Sequence, residues 1–414
     1  MCVRPVSGLQ MKESPPFMTD TGSASKPIRA GVVLFALAMG SFAIGTTEFA
    51  TMSLLPYFSK DLGIDPSEAS HVISAYALGV VIGAPTIAVF GARYSRKYLL
   101  IGLMLFFAIA HLLSALAHDY VSLMAFRFLS GLPHGAYFGV ASLAGAAVVP
   151  QDKRAQAVAR VMLGLTIATI IGVPAANWIG QAIGWRSGFG LVTALSVLTM
   201  ILIWRYAPHD NAQKDASPLR ELGALKNGRV WLTLGIGAIG FGGMFAVYTY
   251  VASTLLYVTG VRDAFVPVIL CIFGAGMTAG TLACGWLADR FQIRAAGFVL
   301  LWSAVSLGLY PFAAHTLWAL SLVVFLIGCG GGLGIILQTR LMDVAGEAQT
   351  LAAALNHSAF NFANALGPFL AGVVIAKGYG YESSGIVGTV LTLGGFAIWL
   401  VAMLEVRNRH LKSK

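Results

Sequence analysis

The chain is short of charge. Of its 414 residues, 17 are Asp or Glu and 27 are Lys or Arg, so charged residues make up 11%, against about 25% in an ordinary soluble domain. That shortage excludes a water-soluble enzyme with a polar surface, and equally a disordered polar chain. Cysteine is scarce as well. Cys2, Cys271, Cys284 and Cys329 show no metal-ligand spacing, and three of them sit inside apolar runs, so neither a disulfide framework nor a zinc site organises the fold. The sequence has no H-E-x-x-H, no Walker A loop and no pair of carboxylates within an apolar run. A metalloenzyme and an ATP-driven pump therefore lose support, and no cofactor or metal is expected. The segment from Gly235 to Gly240 does fit G-x-G-x-x-G, but it follows no strand and lies within an apolar run, so it is not a dinucleotide fingerprint.

What is present is hydrophobic residue, 57% of the chain, with 48 glycines and a mean hydropathy of +0.78. Apolar runs occur at 31–55, 70–90, 98–117, 121–148, 157–180, 187–207, 230–257, 264–287, 296–314, 316–339, 351–376 and 384–404. Each approaches or exceeds the roughly 20 residues that cross a bilayer as helix. The runs are unbroken rather than alternating, which selects helices over a barrel. The expected fold is an all-α integral membrane protein with twelve transmembrane helices.

Basic residues orient it. Numbering the spans in order, 22 of the 27 Lys and Arg fall on one side, 4 on the other, and Arg127 lies inside a span. Cytoplasmic loops carry the excess of positive charge, so both termini are expected in the cytoplasm. The net charge of +10 then reads as a topology signal and a contact for lipid headgroups, not as a nucleic-acid surface. Residues 1–29 are polar, hold no apolar core of a signal peptide and read as a disordered cytoplasmic tail, with Met11 and Met18 as alternative starts. The longest later polar stretch, 208–228, divides the chain into an N-terminal bundle, 30–207, and a C-terminal bundle, 229–405, with a cytoplasmic tail at 406–414. The bundles carry traces of repetition. GARYSRK (91–97) and ADRFQIR (288–294) align Arg93 with Arg290 at an offset of 197, and Pro174 and Pro368 each precede a Gly-aromatic pair by ten residues. Two six-helix bundles related by pseudo-symmetry are a transporter architecture.

Glu48, in GTTEF of span one, is the one acid well inside any span. Intramembrane carboxylates cost about 2.5–3.5 kcal/mol on insertion scales and are functional by default. Glu48 is thus the candidate proton carrier; the bland reading is a protonated, hydrogen-bonded packing residue. Arg127 in span four either pairs with an acid, caps carbonyls of a broken helix, or snorkels to the outer surface. His134 lies seven residues on, on the same helix face, as a proton relay or a hydrogen-bonding residue. The substrate wall is expected from Phe42, Thr46 and Met52 on span one, Tyr137 and Phe138 on span four, and Phe241, Phe245 and Tyr248 on span seven. Span eleven adds Asn356, Phe360, Asn361 and Asn364, because lipid-facing amides would go unsatisfied. The aromatics are equally readable as core or lipid-facing. Gly131, Gly135 and Gly139 give repeated small-xxx-small spacing. Similar glycines are Gly79/Gly83, Gly172, Gly276/Gly280 and Gly367. Pro133 should kink span four near residue 129, and Gly172 with Pro174 and Pro368 are further kink candidates.

These residues resemble the major facilitator superfamily, and within it the twelve-span drug:proton antiporters. The family's loop motif G-x-x-x-D-R-x-G-R-K is matched by Arg93, Arg96 and Lys97, with Ala88, Ala92 and Ser95 departing from it. A second copy keeps Gly285, Asp289 and Arg290, with Gln292 and Ile293 departing. The first copy lacks the family's acid, and Asp289 or Asp343 is the second-half candidate for that latch. The family's R-x-x-x-G fits Arg127 and Gly131, and its G-x-x-x-G-P survives as Ala168-x-x-x-Gly172-Val-Pro174. With GTTEF, YALG (76–79), Pro133-His134-Gly135, GLT (164–166) and GWR (184–186), the chain looks like a bacterial subgroup of sugar, nucleoside and chloramphenicol-type exporters. The resemblance implies a monomeric secondary transporter, not an enzyme. It would export small organic molecules in exchange for protons by alternating access, with Glu48, Arg127 and His134 in proton coupling. Proton-coupled uptake and a non-transporting sensor or scaffold are the alternatives.

Overall fold

A computed structural model describes residues 30–91, 94–150, 154–209, 225–345 and 349–412. Among the described residues the chain is helical and contains no strand. That is the expected answer to an apolar solvent, where each backbone N–H must find its acceptor within its own segment.

The first half comprises α1 (Ala30–Ser53), α2 (Leu55–Leu62), α3 (Pro66–Gly91), α4 (Arg96–Ala115), α5 (Tyr120–Ala147), α6 (Arg154–Ile167), α7 (Val173–Ile183) and α8 (Arg186–Tyr206). A π turn, Ala168–Gly172, joins α6 to α7 into one crossing. The second half comprises α9 (Gly228–Gly240), α10 (Gly242–Tyr257), α11 (Val266–Phe291), α12 (Ile293–Ala313), α13 (Leu317–Cys329), α14 (Leu333–Ala345), α15 (Gln349–Val374) and α16 (Ser384–Lys412). Here α9–α10 and α13–α14 are single crossings, and a π turn again ends the fifth crossing, at Ile375–Tyr379. α16 continues to Lys412, through residues assigned on sequence to a tail.

Eleven of these crossings are long and apolar enough to span a membrane. The twelfth, α5, has 28 residues, about 42 Å of helix at 1.5 Å per residue. Its length suffices, but Arg127, Pro133 and His134 lower its hydropathy. The fold is thus twelve crossings, and the least apolar of them carries the buried base. Outward-facing Phe312, Trp318, Leu282 and Val305 are among the large apolar side chains left exposed, as lipid contact requires. Trp204, Tyr206 and Trp286 are exposed near helix ends, where aromatic rings meet headgroups.

The halves repeat in register. A Cβ on Gly79 would strike the carbonyl oxygen of Phe128, one on Gly83 that of Leu132, and one on Gly131 that of Tyr76. In the second half Gly276 meets Phe325, Gly280 meets Cys329, and Gly328 meets Phe273 in the same way. Every member of the second set lies 197 residues after its counterpart. Only glycine allows these backbones so close, so α3 on α5 and α11 on α13 are one packing solution used twice.

The halves meet across α1, α3 and α7 on one side and α10, α11 and α15 on the other. Ser74 donates to the carbonyl of Ala365 at 2.9 Å. Gln181 donates to the carbonyl of Asp263 at 3.0 Å, and the Cys271 thiol points at the carbonyl of Ile170 at 3.4 Å. These bonds lie mid-bundle or toward the end away from the chain termini.

One expected packing feature sits differently. Gly131 and Gly135 are close-packed, but a Cβ on Gly139 would meet nothing within 4 Å, so the third glycine of that series is not a packing point. Pro133 lies within an unbroken α5. Gly172 closes the first π turn, Pro174 stands in the first turn of α7, and Pro368 is internal to α15.

Candidate functional site

α1 brings Thr47 and Glu48 to the seam, pointing to different neighbours. Glu48 is 8% exposed, and among the described side chains it is the one acid that is buried. Nδ2 of Asn364, on α15 of the other half, approaches its Oε1 at 3.5 Å. Next to it Phe49 packs edge-on against Tyr248, with ring centroids 5.3 Å apart, and lies 6.2 Å from Phe245. Phe245 adjoins Phe241, which meets Phe360 at 4.6 Å, and Tyr248 meets Phe273 at 4.3 Å. An acid therefore stands against an aromatic and amide wall built by the opposite half. The Tyr248 hydroxyl and the Oδ1 atoms of Asn361 and Asn364 are buried with no hydrogen-bond partner. Unsatisfied buried polar atoms carry a cost that a bound polar molecule would relieve.

Thr47 faces a second cluster. Arg127, 1% exposed, donates from Nη1 to Thr47 Oγ1 at 3.1 Å, to His111 Nε2 at 3.3 Å and to Ser130 Oγ at 3.5 Å. Its guanidinium carbon lies 4.1 Å from the centroid of Tyr76 and 5.4 Å from that of Phe189, a cation–π sandwich. Among the described residues no carboxylate comes within ion-pairing distance of it. The snorkelling alternative for Arg127 does not fit this placement, because the side chain turns into the bundle, where Nη1 meets neutral acceptors and the plane meets aromatic faces, while Nε is buried with no hydrogen-bond partner.

His134 extends the chain of contacts. Its Nδ1 is 2.8 Å from the Tyr76 hydroxyl, and its ring is 6.5 Å from that of His357 on α15. His357 stacks on Phe138 at 5.0 Å. Glu48, His134, Phe138, Phe245, Tyr248, Phe360 and Asn364 thus line the seam, and Arg127 adjoins it from within the first half through Thr47 and Tyr76.

Other candidates fall elsewhere. The Tyr137 hydroxyl donates to Leu37 within the first half, so its polar end is occupied by packing. Thr46 donates to the carbonyl of Phe42, and both line the close approach of α1 to Gly172. Met52 is fully buried in the core. Asn356 donates to Gln338 at 2.6 Å, and Asn361 to the carbonyl of His357. Of the loop motifs, Arg93 lies outside the described residues, as does the side chain of Asp289. Arg96 and Lys97 open α4, where Lys97 donates to the carbonyl of Ala207 at 2.7 Å. Gly285 is half-buried, and Arg290 lies 5.9 Å over Trp286. Asp343, proposed as a latch, is exposed.

Sequence reasoning missed His111 and His357, and quoted Tyr76 only within a motif. A lone ionisable residue in a span was the available signal, and both histidines carry it.

A twelve-crossing helical bundle in two repeated halves, with an acid buried at their seam and a base buried within the first half, has the architecture of a membrane transporter. The chain belongs to the Major Facilitator Superfamily, which it matches over residues 37–298 and 254–414. It is 39% identical over 376 residues to the inner membrane transport protein YdhP of Escherichia coli K12, covering 89% of this chain and 95% of that one. It is 34% identical to a chloramphenicol resistance protein of Streptomyces lividans, covering 83% and 88%. The fold superposes on the crystal structure of the nucleoside transporter NupG with a TM-score of 0.71, at 15% identity, covering 90% and 99%.

Proposed function

We propose that the chain is a proton-coupled antiporter of the bacterial inner membrane that exports small, drug-, sugar- or nucleoside-like organic molecules. The observation that carries this reading is Glu48, a buried carboxyl at the seam whose hydrogen-bond neighbour, Asn364, belongs to the opposite half. Rocking of the halves about the seam alters that environment directly, so the proton affinity of Glu48 changes with the side that is open. Facing outward, Glu48 takes up a proton and displaces substrate. Facing inward it releases the proton, and substrate binds. The charge bias of the loops supports cytoplasmic termini, and the names of the relatives support an export role. The aromatic wall and the unpaired amide oxygens suit an apolar molecule with a few hydrogen-bond donors.

The test is transport into proteoliposomes under an imposed pH gradient, with radiolabelled chloramphenicol as the probe and a nucleoside as the second. Wild-type protein should accumulate a probe against its gradient, and Glu48→Gln should lose at least about tenfold of the gradient-driven rate, the size of effect that 1.4 kcal/mol of coupling confers. Full gradient-driven flux in Glu48→Gln would overturn the reading.

A further inference from the structure

The Arg127 cluster has an internal control. At 197 residues' distance, the offset shared by the glycine contacts, Arg127 corresponds to Val324, Tyr76 to Phe273, His111 to Gly308, Ser130 to Ile327 and Thr47 to Met244. The second half builds the same crossing of helices with apolar residues at every one of these positions. Val324, Phe273 and Ile327 there line an apolar hollow beside Tyr248. The fold therefore does not need the polar cluster to pack, and the cluster exists for another reason.

Its chemistry is specific. His111 Nδ1 lies 2.8 Å from the carbonyl of Phe107. A carbonyl can only accept, so Nδ1 carries the hydrogen. Nε2 of the neutral ring is then an acceptor, its single lone pair shared between the Thr47 hydroxyl at 2.8 Å and, as the weaker bond, Arg127 Nη1 at 3.3 Å. A protonated ring would set N–H against N–H and charge against charge. His111 is thus a neutral acceptor presented to a buried cation, while Glu48 sits one residue along α1 from Thr47 and is not paired with Arg127.

We propose that His111 is a positioning residue that holds Arg127 on neutral acceptors and keeps it from closing onto Glu48 as an ion pair. The carboxyl is thereby left free to exchange. This deepens the proton-coupling reading and rests on it. Without the acceptor, Arg127, whose Nε already has no hydrogen-bond partner, loses a further partner in a region where an unsatisfied guanidinium is costly, and Glu48 is the one buried acid among the described side chains left to pair with it. The ion pair would hold Glu48 in its charged form and stall the cycle. The groups facing this pair are Arg127 and His134 from α5, Tyr76 from α3, His111 from α4 and the neutral Asn364 from α15.

The test uses dicyclohexylcarbodiimide, which adds to a protonated buried carboxyl, on the purified full chain in detergent. The adduct at Glu48 is read by mass spectrometry as a function of pH. His111→Leu should move the labelling midpoint down by about one pH unit or more, the usual effect of an arginine brought against a carboxylate. His111→Gln, which keeps an acceptor at the Nε2 position, should restore the wild-type midpoint. Thr47→Val, which removes one acceptor at constant volume, should move it partway in the same direction. An unmoved or raised midpoint in His111→Leu, or a Gln variant no different from Leu, overturns the proposal. A wild-type Glu48 that takes no label at any pH overturns the proton-coupling reading itself, and this proposal with it.

Discussion

The guanidinium of Arg127 carries its charge into a place where neutral acceptors meet it, and the proposed behaviour of the neighbouring acid depends on that placement. Sequence singled out Glu48 and Arg127 because each is alone of its sign away from the span ends. It could not tell that they are held apart, since which way Thr47 and Glu48 turn depends on helices α3, α4 and α15, far away in the chain. An exposed pair offers a contrast. Asp61, at the end of α2, accepts from Trp185 Nε1 at 2.9 Å and forms an ion pair with Arg186, and these bonds hold its carboxyl below the ordinary carboxylate range, with the Trp185 bond the larger cause. A depressed value in the folded state stabilises the fold above the unfolded pKa of about 3.9 and loses that contribution as pH falls through the lowered value. With side chains 37% and 48% exposed, the pair contributes at most about 1 kcal/mol. Asp61→Asn should therefore lower the thermal midpoint slightly at pH 7. The difference from wild type should shrink as pH falls below about 4 and vanish only below the lowered value, as differential scanning of the two proteins in one detergent would register.

At the scale of the element, α5 is the crossing whose length reads as a span and whose hydropathy falls short. The sequence marked it by its apolar run, its prolines and its glycines, and the spacing of Gly131 and Gly135 announced a close partner. Which glycines matter was not legible, because spacing alone does not say where the neighbouring backbone passes. Gly131 faces the carbonyl of Tyr76, whereas Gly139 faces open space. Gly131→Ala should destabilise by roughly 1–3 kcal/mol, the usual cost of overpacking, and should carry the Tyr76 sandwich around Arg127 with it. Gly139→Ala should be neutral or slightly stabilising, because alanine is the better helix former. Thermal unfolding of the two variants side by side separates them, and equal losses would contradict the packing described for α3 and α5.

Across the whole molecule, the repeat is the feature that sequence carried best. The offset between Arg93 and Arg290 is the offset of the glycine-to-carbonyl contacts, because close backbone packing tolerates no insertion between the paired helices. What sequence could not supply is the asymmetry built on that frame. One half places Arg127, Tyr76 and His111 where the other places Val324, Phe273 and Gly308, and Glu48 meets its partner Asn364 across 316 positions of chain. A site formed at the seam of two repeats is legible only when both are docked. The proposed coupling therefore comes down to one exchangeable proton at that seam. The most direct measurement is the pH of a lightly buffered solution of purified protein as a transported compound is added. Wild-type protein should release protons in proportion to the compound bound, and Glu48→Gln should bind with no release. Equal release from both proteins, or none from the wild type, would contradict the claim that Glu48 couples substrate to protons.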